Sequence, residues 1–408
     1  MQSALSEQLE FRADLPAQAE QEFFSSLPAG SAVFVLRAAD ETAEPYVGKT
    51  SNLRRRMLRM LGESESASRR LNLRERVRSI GFQRVGSDFE AQLVLYRVLR
   101  AEFPHSYERR LRLRPAPLIR MLMENAYPRV TVTSRITSLR GESRYYGPFP
   151  SRAAAEQFAN DALDFFKLRR CTEELNPDSA FPGCVYSEMK MCMAPCFKGC
   201  SDEEYASEAA RVEQFFSTGG HTLALELTHA RDQASEQMEF ERAATLHTQL
   251  EKLHKLRSQL PEIVHRVDRL DAVMVQPSHL PGSVALIRVR WGRLCAPVQL
   301  MVNAPTVIGS VKTPSSMESR ISAALELAPA PEVSSAQEWI EHLAILKRWF
   351  YRTAKVGEIF FADEKGELPM RRVVRGVSRV FKGEKPQGDL SETAGDYWAF
   401  RAKEIGLE

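Results

Sequence analysis

Four cysteines in a short, irregular ladder constrain this chain more than any other feature of its sequence. Cys171, Cys184, Cys192 and Cys196 are spaced C-x12-C-x7-C-x3-C, and Cys200 follows them. Thiolates that hold a metal must converge on one centre, and short spacers keep the entropic cost of that convergence low. The ladder therefore predicts a metal or cluster site, with a disulfide framework as the alternative.

Length and composition indicate the class of protein and the number of domains. A chain of 408 residues, 43% hydrophobic and 27% charged, is typical of a globular protein with two to four domains. It has no apolar run of the roughly 20 residues that span a bilayer. Residues 1–19 lack the basic start and apolar segment of a signal peptide, so we expect a cytoplasmic protein without membrane contact. In that reducing compartment, cysteines are favoured as ligands over disulfides.

Positive charge is concentrated in the first part of the chain. Between Gly30 and Arg152 there are 24 Lys and Arg against 12 Asp and Glu, although the net charge of the whole chain is only +3. Such asymmetry is typical of a nucleic-acid-binding domain, and a solvated basic face is the alternative. The residues predicted to contact phosphate are Arg54, Arg55, Arg69 and Arg70.

Residues 28–115 are predicted to form a small α/β domain. Residues 32–36 and 46–48 form short apolar strands around a polar turn, which indicates a hairpin. A basic helix then begins with Ser51 or Asn52 as its N-cap.

Residues 116–200 are predicted to be a linking region that carries the cysteines. It contains a strand at 127–132, a turn at 145–150 and then a helix. The apolar residues of this helix recur at helical spacing and predict one buried stripe. They are Phe158, Ala162, Phe165 and Phe166.

Residues 201–260 are predicted to be helical, with a break near Glu239 that makes a helical hairpin. The hairpin is too small to bury both of its faces alone. It must pack on a neighbouring domain or on a matching hairpin of a partner protein.

Residues 265–380 are predicted to form a degenerate α/β domain, followed by a tail over 381–408. Period-two alternation over 285–302 indicates a β-hairpin with its turn at Gly292 and Arg293, and a helix follows over 339–350. The predicted fold class is therefore α/β and α+β, with several domains.

Four segments together resemble the UvrC family of excinucleases. Tyr-Val-Gly-Lys at 46–49 with Asn-Leu-Arg-Arg-Arg at 52–56 resembles the second half of the GIY-YIG nuclease motif. Tyr-Gly-Pro-Phe-Pro at 146–150 resembles the segment after that nuclease domain. The cysteine ladder resembles the UvrC cysteine cluster, and residues 238–244 are similar to the UVR motif through which UvrC meets UvrB. The resemblance covers about residues 28–305 in family order.

The resemblance implies a role for each matching residue. Tyr46 would be the base that activates water, and Lys49 and Arg56 would neutralise the phosphate, as attack on an anion requires. The cysteines would hold a four-iron four-sulfur cluster, with zinc as the alternative. DNA and a UvrB-like protein would be the partners. The residues implied to contact that protein are Phe240, Glu241, Ala243 and Ala244.

The departures from the family pattern concern the nuclease. Phe34 stands at the first motif's tyrosine, Leu95 at the metal-binding Glu, and Tyr107 near the active-site Asn. Leu cannot ligate Mg²⁺, and Glu90 lies five residues earlier, on a different face of the helix. Glu102 is a candidate substitute ligand. We expect an impaired GIY-YIG centre without a proper Mg²⁺ site.

The second UvrC nuclease is also expected to be absent. Residues 270–302 and 346–362 resemble the start of its ribonuclease-H-like domain, but no Asp-Ile-Ser-His-like segment follows. Three hypotheses remain: an accessory DNA-binding repair protein with a decayed nuclease, an active endonuclease making one incision, and an iron–sulfur or zinc sensor module that uses the fold as scaffold.

Overall fold

The protein is known from a computed structural model, which describes residues 9–16, 21–40, 42–62, 73–137, 141–303, 316–328, 335–363 and 365–384. Helices and three antiparallel sheets make up these ranges, which confirms the predicted mixed α/β fold class. Over the same ranges, no helix combines the length and the apolar character that a membrane crossing needs.

The first sheet forms the core of the N-terminal unit. Its antiparallel strands lie in the order β1, β4, β2, β3. Helices α1 and α2 cover one face and α3 the other, so β2 is buried on both faces. The predicted hairpin is confirmed, and Asn52 caps α2. The elements are β1 Phe11–Asp14, α1 Gln21–Ser26, β2 Ala32–Ala38, β3 Tyr46–Thr50, α2 Leu53–Leu61, β4 Val77–Arg84, α3 Asp88–Glu102 and α4 Tyr107–Leu111.

The second sheet corrects one prediction. The sequence predicts a turn over residues 145–150, but Arg144–Gly147 is a strand that pairs with Leu118–Leu122, and a cis Gly147–Pro148 bond follows. The pairing is between residues distant in the chain, and no local pattern indicates it. The elements here are β5 Leu118–Leu122, β6 Arg129–Thr133, β7 Arg144–Gly147, α5 Arg152–Phe165 and α6 Val185–Glu188, with a 3-10 turn at Pro195–Phe197.

Three helices follow the cysteine loop. They are α7 Asp202–Thr218, α8 His221–Glu236 and α9 Phe240–Ser258. The predicted break lies where expected, since Glu239 is the N-cap of α9 and Met238 has a positive φ of 60°. Helix α7 buries Tyr205, Phe215 and Phe216 against α5 and the second sheet. The hairpin of α8 and α9 is therefore anchored at its base.

The third sheet also departs from its prediction. The turn lies at Trp291 and Gly292, one residue earlier than predicted, and both have a positive φ, as in the tight turns of β-hairpins. The second strand is interrupted at Pro297, which cannot donate a ladder hydrogen bond. The elements are β8 His265–Arg266 (in the second sheet), β9 Ala272–Pro277, β10 Ser283–Arg290, β11 Arg293–Leu294, β12 Val298–Met301, α10 Met317–Leu327, α11 Ala336–Phe350, β13 Glu358–Phe361 and α12 Met370–Lys382.

One apolar core runs through most of the described chain. It joins α3 and α4 to the second sheet, to α7–α9 and to α11. This core crosses the predicted domain boundaries at 115, 200 and 260. The domain boundaries themselves remain predictions. So does the tail at 381–408, of which residues 385–408 lie outside the described ranges. The units are therefore packed on one another.

Gly86 marks the closest approach between the N-terminal unit and the third sheet. It lies between β4 and α3, and a Cβ atom placed on it would lie 2.2 Å from the carbonyl oxygen of Pro277 and 2.6 Å from the backbone nitrogen of His279. Backbone cannot yield as a flexible side chain does, so this contact requires glycine.

We predict that Gly86→Ala lowers the unfolding free energy by about 1–3 kcal/mol, because the added methyl group pushes the end of β9 away from the first sheet. Thermal unfolding followed by circular dichroism measures this. Gly30→Ala is the matched control, because no atom of the described residues lies within 4 Å of a Cβ at Gly30. Equal stability of the two variants would contradict the proposed contact.

Candidate functional site

Tyr46 and Arg56 lie together at the exposed edge of the first sheet. Tyr46 begins the edge strand β3, and its ring stacks on Phe34 with the ring centroids 6.0 Å apart. The Arg56 guanidinium donates a hydrogen bond to the Tyr46 hydroxyl over 3.3 Å. Asn52 fixes the start of α2 by accepting a hydrogen bond from the Arg55 backbone N–H at 2.9 Å. The structure thus places a phenol beside a guanidinium at the surface.

Lys49 is bound elsewhere. Side chains alternate along a strand, so Lys49 projects from the opposite face of β3 to Tyr46. There it forms an ion pair with Asp88 in the first turn of α3, and Asp88 also pairs with Arg352. Burial alone would raise the pKa of Asp88, but hydrogen bonds from Lys49 and Arg352 hold that pKa below its usual value. Lys49 is therefore already occupied by a carboxylate.

The acidic residues of α3 do not gather around Tyr46. Glu90 is buried, accepts a hydrogen bond from the Gly86 N–H at 2.7 Å, and has its pKa raised by burial. Glu102 forms an ion pair with Arg37. Leu95 is half-buried and packs against apolar neighbours. Within the described ranges, no three His, Cys, Asp or Glu side chains are grouped so that they could hold a metal ion.

Tyr107 faces α11, which belongs to the third sheet's part of the chain, and forms a hydrogen bond with it. Its hydroxyl donates to the buried carboxyl group of Glu341 on α11 over 2.5 Å, and the hydroxyl of Tyr96 donates to the other oxygen over 2.7 Å. Gln337 adds a third hydrogen bond at 3.0 Å. Burial, and then Glu341, raise the pKa of both tyrosines, so both hydroxyls keep their protons. The position near the family's Asn is thus used for packing α3 and α4 on α11.

The predicted phosphate contacts lie partly within the described ranges. Arg54 and Arg55 are exposed on α2, and the Arg54 Nε donates to the carbonyl oxygen of Leu27 over 2.8 Å. Arg69 and Arg70 lie outside the described residues. The two predicted phosphate contacts that the structure describes therefore both lie on α2.

The four cysteines of the ladder share one neighbourhood. All are half-buried free thiols. Burial raises the pKa of Cys192 and of Cys196, and the charges of Cys184 and Cys171 raise both further. Such mutual effects require proximity, although the thiols are not close enough to form a ligand shell as they stand.

A buried cation lies beside this group. Arg169 is 3% exposed, and its guanidinium donates to the carbonyl oxygens of Tyr127 at 3.0 Å and Glu173 at 2.8 Å and approaches the Cys171 sulfur at 3.8 Å. Among the described residues no carboxylate pairs with it. Because a buried cation is stabilised by nearby negative charge, the donor set and the charge both fit a thiolate-bound metal centre.

The tip of the α8–α9 hairpin is exposed. Phe240 is 68% exposed and Met238 75% exposed, while Glu241 and Ala244 are exposed and Ala243 is half-buried. Large apolar side chains at a helix start, without cover in the described chain, are typical of a protein-binding surface.

Comparison with known proteins shows which family this chain is similar to. A sequence model described as the UvrC/Cho excinuclease middle domain matches residues 116–215. The chain is 28% identical over 270 residues to UvrABC system protein C of Methanothermobacter thermautotrophicus, covering 66% of this chain and 44% of that protein. The protein of the same name from Alcanivorax borkumensis is 28% identical over 250 residues, 61% of this chain and 40% of that protein. The chain is thus similar to proteins of the UvrC family over about two thirds of its length.

The UvrC resemblance has a definite extent. The chain spans less than half the length of these relatives, and no solved structure matches it. The matched middle domain contains the whole cysteine ladder and Arg169.

Three residues that shape the site are not predicted from the sequence. Asp88 has the pattern of an ordinary acidic residue in a first helical turn, and nothing local links it to Lys49. Glu341 has the pattern of a polar helix position, and its burial depends on Tyr96 and Tyr107 far away in the chain. The position of Arg169 could have indicated its role, because an arginine two residues before the first cysteine of the ladder can stabilise negative thiolates.

We predict that Tyr96→Phe and Tyr107→Phe each lower the unfolding free energy by about 1–3 kcal/mol, because each leaves a buried carboxyl oxygen short of a donor. Tyr186→Phe is the control, since the Tyr186 hydroxyl makes no hydrogen bond to the described residues. Denaturant unfolding of the single and double variants also gives the coupling between the two tyrosines. Losses equal to that of the control would show that Glu341 does not hold the two helices.

Proposed function

We propose that this chain is a DNA-binding protein of nucleotide excision repair whose GIY-YIG centre is impaired, so that it acts as an accessory or regulatory member of the UvrC family. The observation that carries the proposal is Leu95 at the position of the family's metal-binding Glu. Metal-assisted cleavage of a phosphodiester requires a carboxylate that anchors the cation. The other carboxylates of α3 are engaged in other contacts.

The ion pair of Lys49 supports the same proposal. It forms an ion pair with Asp88, a carboxylate that it shares with Arg352. A lysine in an ion pair offers less charge to a phosphate than a free one, because Asp88 competes for it. Tyr46 is exposed and Arg56 half-buried beside it, and both can contact DNA without cleaving it.

DNA binding is supported by the exposed arginines of α2 and the basic excess of residues 30–152. Phosphate contacts need surface cations and no metal, so loss of Mg²⁺ binding leaves this function intact. Arg54 and Arg55 lie on the same helix as Arg56. We assign them to the phosphate backbone, with Arg69 and Arg70 by prediction.

The cysteines are proposed to hold a four-iron four-sulfur cluster, with zinc as the alternative. Cys171, Cys184, Cys192 and Cys196 would be the ligands, and Arg169 would balance part of their negative charge. When bound, the cluster supplies a cross-link that fixes the loop. The ladder has one short pair, at Cys192 and Cys196, and two longer arms, which suits a cubane better than the paired knuckles of a zinc ribbon.

The exposed hairpin tip is proposed to bind a UvrB-like protein. Phe240 provides an uncovered apolar anchor, and Glu241, Ala243 and Ala244 continue the same helical turn. Small side chains beside an aromatic anchor allow a partner helix to approach closely.

The second candidate function is a working endonuclease that makes one incision. The contact between Tyr46 and Arg56 favours it, because it keeps the candidate base beside a cation that can neutralise a phosphate. The third candidate, a metal-dependent sensor module, is favoured by the cysteine loop with its buried Arg169.

The incision assay separates the first two. Purified protein is incubated with UvrB and a damaged duplex in Mg²⁺ or Mn²⁺, and we predict no incision because the metal carboxylate is missing. Incision that falls by about 100-fold or more in Tyr46→Phe and in Arg56→Ala, but not in Tyr186→Phe, would overturn the proposal of an impaired centre.

The cluster has its own test. Protein purified without oxygen is expected to absorb near about 400 nm, as iron–sulfur proteins do, and Cys184→Ala is expected to lose this band. Cys295→Ala is the matched control, because Cys295 is buried in the third sheet, outside the ladder. A colourless protein with one bound zinc would refute the iron–sulfur assignment.

A further inference from the structure

Helix α12 carries an unusual distribution of charge. Its sequence, MRRVVRGVSRVFK, has five basic residues and no acidic one. Val373, Val377 and Val380 are buried against the third sheet and α10. Gly376 lets the helix lie close to the sheet, since a Cβ there would meet the ring of Phe360 at 2.3 Å. The helix is therefore held firmly by its apolar face.

The opposite face of α12 carries a row of cations. Arg371, Arg375 and Lys382 are exposed and follow one another at spacings of four and seven residues, which places them on one side of the helix. We name these three residues the basic stripe. The side chain at the intervening position, Ser378, is small and exposed. This small side chain leaves room for the surface of a partner molecule to contact the cations on both sides of it.

The basic stripe differs from the neighbouring cation on the same helix. Arg379 is bound to Glu358 by two hydrogen bonds of 2.8 and 2.5 Å. In the described ranges, Arg371 and Arg375 have neither a hydrogen bond nor an ion pair from their side chains, and Lys382 has only a contact of 3.8 Å with Glu384. Like charges four residues apart on a helix repel each other and destabilise it. An anionic partner would offset that repulsion.

The shape of the stripe identifies the partner. From its first cation to its last, the helix rises about 16 Å, the length of about five base-pair steps of duplex DNA. A membrane surface is a poor fit, because a helix that lies in a bilayer needs a free apolar face and that of α12 is covered by the sheet. A repeating row of phosphates matches a repeating row of cations.

We propose that the basic stripe of α12 is a second phosphate-binding surface for duplex DNA, separate from the arginines of α2. The proposal rests on the DNA-binding role proposed above, and it extends that role to the third sheet. The stripe binds the DNA backbone without sequence preference, because its cations interact with phosphate charge and not with base edges.

A salt series tests the proposal. The full chain is titrated into a fluorescent duplex between about 50 and 200 mM KCl, and binding is measured by anisotropy. The triple variant Arg371→Gln, Arg375→Gln, Lys382→Gln is expected to reduce the slope of log affinity against log salt by about 2–3, since each phosphate contact contributes about 0.9. All three side chains are exposed, so the thermal midpoint should stay unchanged.

Two control variants make the result specific. Arg371→Lys, Arg375→Lys, Lys382→Arg keeps every charge and is expected to keep the slope. Arg242→Gln, Lys252→Gln, Lys255→Gln removes the same net charge from α9 and is expected to leave the slope nearly unchanged.

The outcomes separate the two proposals. A parent protein that binds with a steep salt slope, together with an unchanged slope in the stripe variant, overturns the role of α12 alone. A parent protein that binds DNA without salt dependence overturns the proposed function as well. An equal loss in the α9 variant would assign the effect to net charge and would also overturn the stripe.

Discussion

The buried carboxyl group of Glu341 is the contact on which the arrangement of the chain depends. It accepts hydrogen bonds from Tyr96, Tyr107 and Gln337, so three donors satisfy a group that would be costly to bury alone. Two of the donors belong to the N-terminal unit, and the acceptor belongs to α11. Apolar packing would tolerate small shifts between these units, whereas directional hydrogen bonds fix their angle. The close backbone approach at Gly86 fixes the same interface from the other end of the third sheet.

This interface also affects the contacts of Lys49 in the candidate site. With Tyr96 directed at α11, helical geometry places Asp88 on another side of α3, where it meets Lys49. The end of α11 brings Arg352 to the same carboxylate. The third sheet's helices therefore contribute a charge to the N-terminal site. Lys49 thus shares its carboxylate partner with a cation from another part of the chain.

Sequence predicts the elements whose signals are local. The hairpin of β2 and β3, the cap at Asn52 and the break at Glu239 all follow from periodicity, turn residues and capping. The turn predicted in place of β7 is wrong because the partner strand β5 is distant in the chain, and the interruption at Pro297 shows how one missing donor overrides a regular alternation. In the site, the residue types are evident from the sequence, but the pairing of Lys49 with Asp88 and the burial of Glu341 are products of packing. Local pattern carries no information on such pairs.

Binding and cleavage of DNA make different physical demands, and the function proposed for this chain rests on that difference. Binding sums many weak contacts of exposed cations with phosphate, so it survives the loss of any one of them. Cleavage requires one carboxylate in one place, so a single residue such as Leu95 suffices to remove it. The exposed arginines of α2 and the basic stripe of α12 belong to the first kind of requirement, as proposed above. A protein with such cations and without the metal carboxylate would be suited to hold DNA in place while another active site cuts.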